Sequence, residues 1–298
     1  MAKIVRGLRE GQMEFQKVFS RLCNSQSSWQ VWSDFVEMTA IAISNTCEIR
    51  DKVRQDREKR YFDIIGQYSK SEQDIFPQLV GILVSSLQRN QEQDFLGEMF
   101  MALELSNHWK GQFFTPYCIC KAMATINIQD AANKKGAKGY MTINDPACGA
   151  GATLIAARNA LELSRIGSTE VFFVGQDIDR IAAMMCYIQL SLLGCAGYVV
   201  IADTISHPVT GPMLWPNLTE YQDAWFMPMN FIEPIWVLRL SKTWKGIRQE
   251  MATVDQEPPP YEPTQDVVPG TPSPPHPCTT VEPENLFTET EIGQLSLF

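Results

Sequence analysis

The stretch Gly139-Tyr140-Met141-Thr142-Ile143-Asn144-Asp145-Pro146-Ala147-Cys148-Gly149-Ala150-Gly151-Ala152-Thr153-Leu154 constrains this chain more than any other. A short β-type run ends on an acid, turns through a proline and two glycines, and enters an Ala/Leu-rich helical pattern at Ala156, Ala157, Ala160 and Leu161. Strand, tight turn and helix in that order open a nucleotide-type α/β unit. The glycines let backbone approach a ligand with no Cβ in the way, and the following helix aims its free N–H groups at the same place. Only two glycines stand at Gly-x-Gly spacing and the third fingerprint position is Leu154, which disfavours a dinucleotide site.

Val171-Phe172-Phe173-Val174-Gly175-Gln176-Asp177-Ile178-Asp179 is a second landmark. Four apolar residues followed by an acid describe a buried parallel strand whose terminal carboxylate lies where a ribose hydroxyl pair needs an acceptor. A third strand, Tyr198 to Ala202, ends on Asp203, and the helical run Ile181 to Leu193 connects the two. Three successive strands ending on acids point to a nucleoside-bearing cofactor.

Asp145-Pro146-Ala147-Cys148-Gly149-Ala150-Gly151 resembles the S-adenosylmethionine-binding motif of the adenine-N6 DNA methyltransferases, in particular the modification subunits of type I restriction systems. Upstream, Lys110-Gly111-Gln112-Phe113-Phe114-Thr115-Pro116 is similar to the additional cofactor motif of that family, in the family's order and spacing. The resemblance covers about residue 90 to Asp203, including Asp94-Phe95-Leu96-Gly97-Glu98-Met99-Phe100, and is fainter over the N-terminal helices. It implies an α/β, Rossmann-like S-adenosylmethionine-dependent methyltransferase fold, truncated, with S-adenosyl-L-methionine as cofactor. By resemblance Phe113, Thr115 and Pro116 line the methionine and adenine side, and Asp145, Cys148, Gly149 and Gly151 surround the amino-acid moiety. Asp177 accepts from the ribose hydroxyls, Ile178 packs on the adenine ring, and Asp203 accepts from the adenine amino group.

Three regions are expected: a helical domain over 1–108, the cofactor domain over 109–245, and an acidic, Pro-rich tail over 246–298. Phe15, Val18, Phe19 and Leu22, then Trp29 to Ile41, then Phe76 to Leu87 fall at helical spacing, with Pro77 suited to a first turn. Glu48 to Arg60 alternates both signs of charge and reads as a solvated helix face rather than a phosphate-binding stripe. The eight cysteines include no Cys-x-x-Cys pair, so they are expected reduced, mostly buried and cytoplasmic, with no metal site. No secretory signal is expected, because Met1-Ala2-Lys3-Ile4-Val5-Arg6 leads into a charged helical pattern, and no membrane span, because the apolar stretch Ile181 to Ala202 is broken by Gln189, Gly194 and Gly197.

The family places Asn-Pro-Pro-Tyr or Asn-Pro-Pro-Phe at the end of its fourth strand to hold a flipped adenine. This sequence contains neither tetrapeptide. Its nearest approximation is Glu233-Pro234-Ile235-Trp236, in which Glu233 would accept from an amino group and Trp236 would stack; the other reading is an ordinary strand or edge segment. Val237 to Leu240 is expected to form one more strand, after which the chain leaves the fold without the later strands of a full methyltransferase.

From Gly246 onward one basic residue stands against nine acids, so the tail carries nearly all of the chain's net charge of −9 and the acidity says little against nucleic-acid binding elsewhere. Few apolar residues interrupt its prolines, so disorder is expected. It ends in Gln294-Leu295-Ser296-Leu297-Phe298, similar to the pentapeptide with which bacterial proteins bind the replicative sliding clamp: Gln294 as polar anchor, Leu295, Leu297 and Phe298 for apolar pockets. Two functions therefore stand. One is an adenine-N6 DNA methyltransferase acting on DNA, or its cofactor-binding half completed by a second chain; the other is a catalytically inactive cofactor-binding module tethered to the clamp.

Overall fold

A computed structural model describes residues 8–24, 26–105, 114–128, 139–254 and 294–296. The N-terminal part is helical, as its periodicity requires. Helices α1 (Glu10–Phe19), α2 (Ser28–Ser44), α3 (Asp51–Ile65), the short α4 (Lys70–Gln73), α5 (Ile75–Arg89) and α6 (Phe95–Ala102) follow one another. Ser27 caps α2 by accepting from the Gln30 N–H, and Asp94 caps α6 by accepting from the Gly97 N–H. Apolar side chains at Val31, Trp32, Phe35, Val36, Met38 and Ile41 bury α2 on several sides, so it becomes the central helix, with Phe15 edge-on to both Trp32 and Phe35.

After α7 (Tyr117–Asn127) the chain alternates strand and helix: β1 (Met141–Asp145), α8 (Ala152–Leu163), β2 (Val171–Asp177), α9 (Arg180–Leu192) and β3 (Ala196–Ile201). β4 (Asp223–Phe226), the short α10 (Met229–Ile232) and the long α11 (Pro234–Val254) complete this part. The strand order is β4-β3-β2-β1-β5, where β5 (Gln294–Ser296) pairs in parallel with Thr142–Asn144 on the outer edge of β1. β1, β2 and β3 are parallel, and β4 alone is antiparallel. This α/β sheet is covered on both faces, as a parallel sheet must be. On one face Phe173, Val199 and Trp225 share a continuous core with α1, α2, α5, α6, α8 and α9; on the other Phe172, Val174, Tyr198, Val200 and Phe226 pack with Trp236 and Leu240 of α11.

The 108/109 boundary lies outside the described residues; described elements before and after it contribute to one core. The 245/246 boundary falls inside α11, which runs on to Val254. Val237 to Leu240 is helix, not strand, because the apolar face at Trp236 and Leu240 recurs at a four-residue interval and packs on the sheet.

Glu48 to Arg60, expected as a solvated face, is one only in part. Glu48 and Arg57 are buried, and Arg57 stacks 3.5 Å from the Trp225 ring centroid while bonding Ser44, Glu48, Asp223 and the Ala224 carbonyl. Arg50 also donates to the Ala224 carbonyl, at 2.9 Å. These cations satisfy the outer edge of β4, which would otherwise present free carbonyls.

Candidate functional site

The carboxyl edge of β1, β2 and β3 gathers the predicted acids. After Asp145 the chain turns through Gly149 (φ +52°) and Gly151 (φ +96°), left-handed backbone that disfavours any residue with a Cβ. A Cβ at Gly149 would lie 3.0 Å from the Phe114 ring, and one at Gly151 2.9 Å from the Cys186 sulfur. The turn is therefore both conformationally and sterically reserved for glycine. Asp145 braces it from beneath, accepting from the Ala147 N–H at 3.1 Å and from the Thr153 hydroxyl. Only 1% of Asp145 is exposed and burial pushes its carboxyl up, so it supports the turn rather than presenting a free charge.

Asp177 stands in the middle of the edge. One carboxylate oxygen accepts from the Gly149 N–H at 2.8 Å and the other from the Asp179 N–H at 2.8 Å. Burial pushes its carboxyl up against those two bonds. A carboxylate has about four lone-pair sites, so acceptor capacity for a pair of hydroxyls is left. Asp179 instead caps α9, accepting from the Ile181 and Ala182 N–H groups, each at 3.0 Å. Between the two acids Ile178 is 72% exposed, an apolar side chain offered to solvent at the end of a buried strand.

Asp203 follows β3 and lies in the same edge, its carboxyl held below its ordinary value by the Ile205 N–H and the Ser206 hydroxyl. The neighbouring Thr204 hydroxyl donates to the Pro146 carbonyl, which ties the loop after β3 to the turn after β1.

Thr115 and Pro116 are exposed at the start of α7, and Phe114 bridges from the glycine turn to Phe100 of α6, ring centroids 5.3 Å apart. Phe113 lies outside the described residues, as do Leu297 and Phe298; Gln294 and Leu295 lie in β5. Cys148 is buried, and its sulfur would meet a Cβ at Gly175 at 3.1 Å, so it packs beneath the turn.

Sequence reasoning passed over several supports of this turn. Thr153 is the second residue of α8, and Gln189 of α9 donates to the Ala150 carbonyl at 2.9 Å while accepting from the Leu96 N–H. The available signal for Gln189 was a polar amide within a largely apolar helical run.

Glu233, Pro234 and Trp236 do not join the site. Because β4 runs antiparallel, it carries the chain from the carboxyl edge at Asp223 to the opposite edge at Phe226. Trp236 is fully buried there, donating its indole N–H to the Ser168 carbonyl ahead of β2 and packing on Phe172 and Tyr140. A ring so enclosed cannot stack on a base at the carboxyl edge, and Glu233 and Pro234 stand with it at the far edge of the sheet.

The seven cysteines among the described residues are free thiols, and no group of three or more His, Cys, Asp or Glu residues there is placed to hold a metal ion. No helix among them is long and apolar enough to cross a membrane.

Residues 92–222 match the family model described as N-6 DNA Methylase, a span holding the α6 cap, the glycine turn and all three strand-end acids. The chain is also 30% identical over 137 residues to the type I restriction enzyme MjaIX methylase subunit of Methanocaldococcus jannaschii, covering 46% of this chain and 20% of that one. It thus spans about a fifth of the length of that curated relative. Among solved structures, the methyltransferase subunit of a type I restriction-modification system from Streptococcus thermophilus overlays on 74% of this chain and 43% of its own, with 16% identity and a TM-score of 0.36. The matched segment ends at the loop before β4, so α11 and the buried Trp236 lie beyond it.

Proposed function

We propose that this chain binds S-adenosyl-L-methionine at the carboxyl edge of β1–β3 and serves as the cofactor-binding half of a DNA adenine-N6 methyltransferase. One observation carries the reading: Asp177 of β2 holds the left-handed glycine turn through the Gly149 N–H and keeps acceptor capacity for two ribose hydroxyls. Ile178 would lie under the adenine ring and Asp203 would accept from its amino group, while the glycine turn leaves room for the methionine moiety. Phe113, Thr115 and Pro116 would flank it. The bound cofactor supplies an activated methyl group. This chain's part is alignment, on which a direct displacement depends most.

The groups that hold the adenine are proposed to come from a second polypeptide, since the sequence has no Asn-Pro-Pro-Tyr or Asn-Pro-Pro-Phe and Trp236 is enclosed at the opposite edge. Such a chain is proposed to meet the cofactor turn at the outer edge of β1, where among the described residues Thr142 to Asn144 pair with the three residues of β5. Calorimetry should show S-adenosylmethionine binding with one site per chain, and Asp177→Ala should weaken it by more than tenfold, the loss of about two charge-assisted hydrogen bonds. Unchanged affinity in that variant would remove the assignment. Label transfer from the cofactor to DNA adenine only when a partner subunit is added would support the half-enzyme reading, and transfer by the chain alone would overturn the need for a partner.

The reading of Gln294-Leu295-Ser296-Leu297-Phe298 as a sliding-clamp ligand, and with it a cytoplasmic location, rests on the sequence alone. Retention of the full chain on purified bacterial sliding clamp, lost in the double variant Leu297→Ala, Phe298→Ala, is the expected result; no retention of the parent at micromolar concentration would end it.

A further inference from the structure

Arg180 is the first residue of α9, directly after the turn Asp177-Ile178-Asp179. Its guanidinium reaches away from that turn to two separate elements, bonding Glu37 of α2 at 3.2 Å and Asp223 at the start of β4 at 3.1 Å. Both partners are held in turn. Glu37 is buried and also takes Arg60, at 2.9 Å, while Asp223 takes Arg57 at 3.0 Å; burial alone would raise the Asp223 carboxyl, yet Arg57 and Arg180 hold it below its ordinary value. Trp225 stands between the two arginines, 3.5 Å from Arg57 and 5.9 Å from Arg180.

We infer that Arg180 is a positioning residue for the nucleoside end of the proposed cofactor site, and that the clamp Glu37–Arg180–Asp223 lets the N-terminal helices set cofactor affinity. The inference rests on the cofactor reading given above. Ile178 is exposed, so little packing fixes its place, and the geometry of its turn is set at its ends. At one end Asp177 bonds the glycine turn; at the other Asp179 caps α9 and Arg180 anchors that helix start to α2 and β4. Forked guanidinium contacts to two carboxylates on different elements restrict rotation of the helix start as a single contact would not. Releasing them leaves the acids and the isoleucine in the chain but lets the platform move, and misplacement of a contact costs affinity without removing the contact.

The experiment is calorimetry with S-adenosylhomocysteine on the full chain and on Arg180→Ala, Glu37→Gln, Ile178→Ala and their pairwise combinations. Arg180→Ala and Glu37→Gln should each weaken binding about 3- to 10-fold with unchanged stoichiometry, the range for residues that act without touching ligand. Their combination should be no weaker than either alone. Ile178→Ala should cost several-fold in the parent and little in the Arg180→Ala background, because the ring has already lost its platform there. 5′-Methylthioadenosine, which carries the nucleoside without the amino-acid moiety, should show the same fold-loss. Reduced stoichiometry with unchanged affinity, or equal loss from Ile178→Ala in both backgrounds, would overturn the positioning role and leave a contribution to folding only. Absence of binding by the parent chain overturns the cofactor reading itself and this inference with it.

Discussion

Asp94 shows how much a single buried residue contributes to the site without touching it. Its carboxylate accepts from the Gly97 N–H at 2.9 Å and from Gln189 at 2.7 Å, and Gln189 passes the contact on to the Ala150 carbonyl of the glycine turn. Burial pushes the Asp94 carboxyl up to about 6, against the bonds from Gln189 and Gly97 that favour the anion. An unfolded aspartate titrates near 4, so between about pH 4 and 6 the folded chain binds more protons than the unfolded one. Stability from this group is therefore present at low pH and falls as pH rises through that window. Asp94→Asn keeps the volume and an oxygen acceptor, so it should flatten the pH dependence between 4 and 6 and gain up to roughly 3 kcal/mol at pH 7.5 relative to the parent. Urea denaturation at three pH values reads this directly; parallel stability profiles for parent and variant would show that Asp94 stays ionised throughout. The acids at the strand ends were legible because each closes an apolar run. Asp94 was legible only as part of a family motif, since nothing local says that a helix cap will be sealed beneath a glutamine from another helix.

At the scale of elements, the parallel strands and their connecting helices follow from apolar runs and turn residues, and so were readable. The direction of β4 was not. Beyond the end of β4, the Asn230 amide exchanges bonds of 2.7 and 2.8 Å with the backbone of Gly197 near the start of β3, where the antiparallel strand delivers it. Gly197 permits this only as glycine, because a Cβ would lie 1.9 Å from the Phe173 carbonyl oxygen. Neither fact is visible in the local pattern of β4. The same blindness made Glu233-Pro234-Ile235-Trp236 look like a catalytic loop, when its proline opens α11 and its tryptophan fills the second face of the sheet. Trp236→Ala should cost about 3 to 5 kcal/mol, as truncation of a fully buried aromatic does, while cofactor affinity stays within about twofold of the parent. Thermal melting and calorimetry on one preparation separate the two; a stable variant with lost binding would return Trp236 to the site.

For the whole molecule, the arrangement of helices and sheet decides whether the chain is two units or one. Sequence composition suggested a helical domain followed by a cofactor domain, because periodicity reveals which face of a helix is apolar but not what covers it. In the fold α2 and α9 lie in the same buried core, Tyr187 of α9 donates to the Phe226 carbonyl, and Arg57 of α3 is enclosed against Trp225 of β4 with only 7% of its side chain exposed. Residues on α9 such as Met184, Met185, Tyr187 and Ile188 are almost fully covered, and removing α2 and α3 would return part of that surface to water. At about 25 cal/mol per Å² of apolar surface, uncovering even a few such side chains costs several kcal/mol, a large share of the roughly 5 to 15 kcal/mol by which a domain is ordinarily stable. Leaving Asp223 and the Ala224 carbonyl without Arg57 adds the loss of charge-assisted bonds at the sheet edge. The full chain should therefore unfold in one cooperative transition, with calorimetric and van't Hoff enthalpies in agreement. A fragment beginning at residue 109 should lack a cooperative melt and should bind an apolar dye. Two separated transitions in the full chain, or a fragment from residue 109 that melts cooperatively and binds cofactor with parental affinity, would show that the shared core is dispensable and that the helices do not set the site.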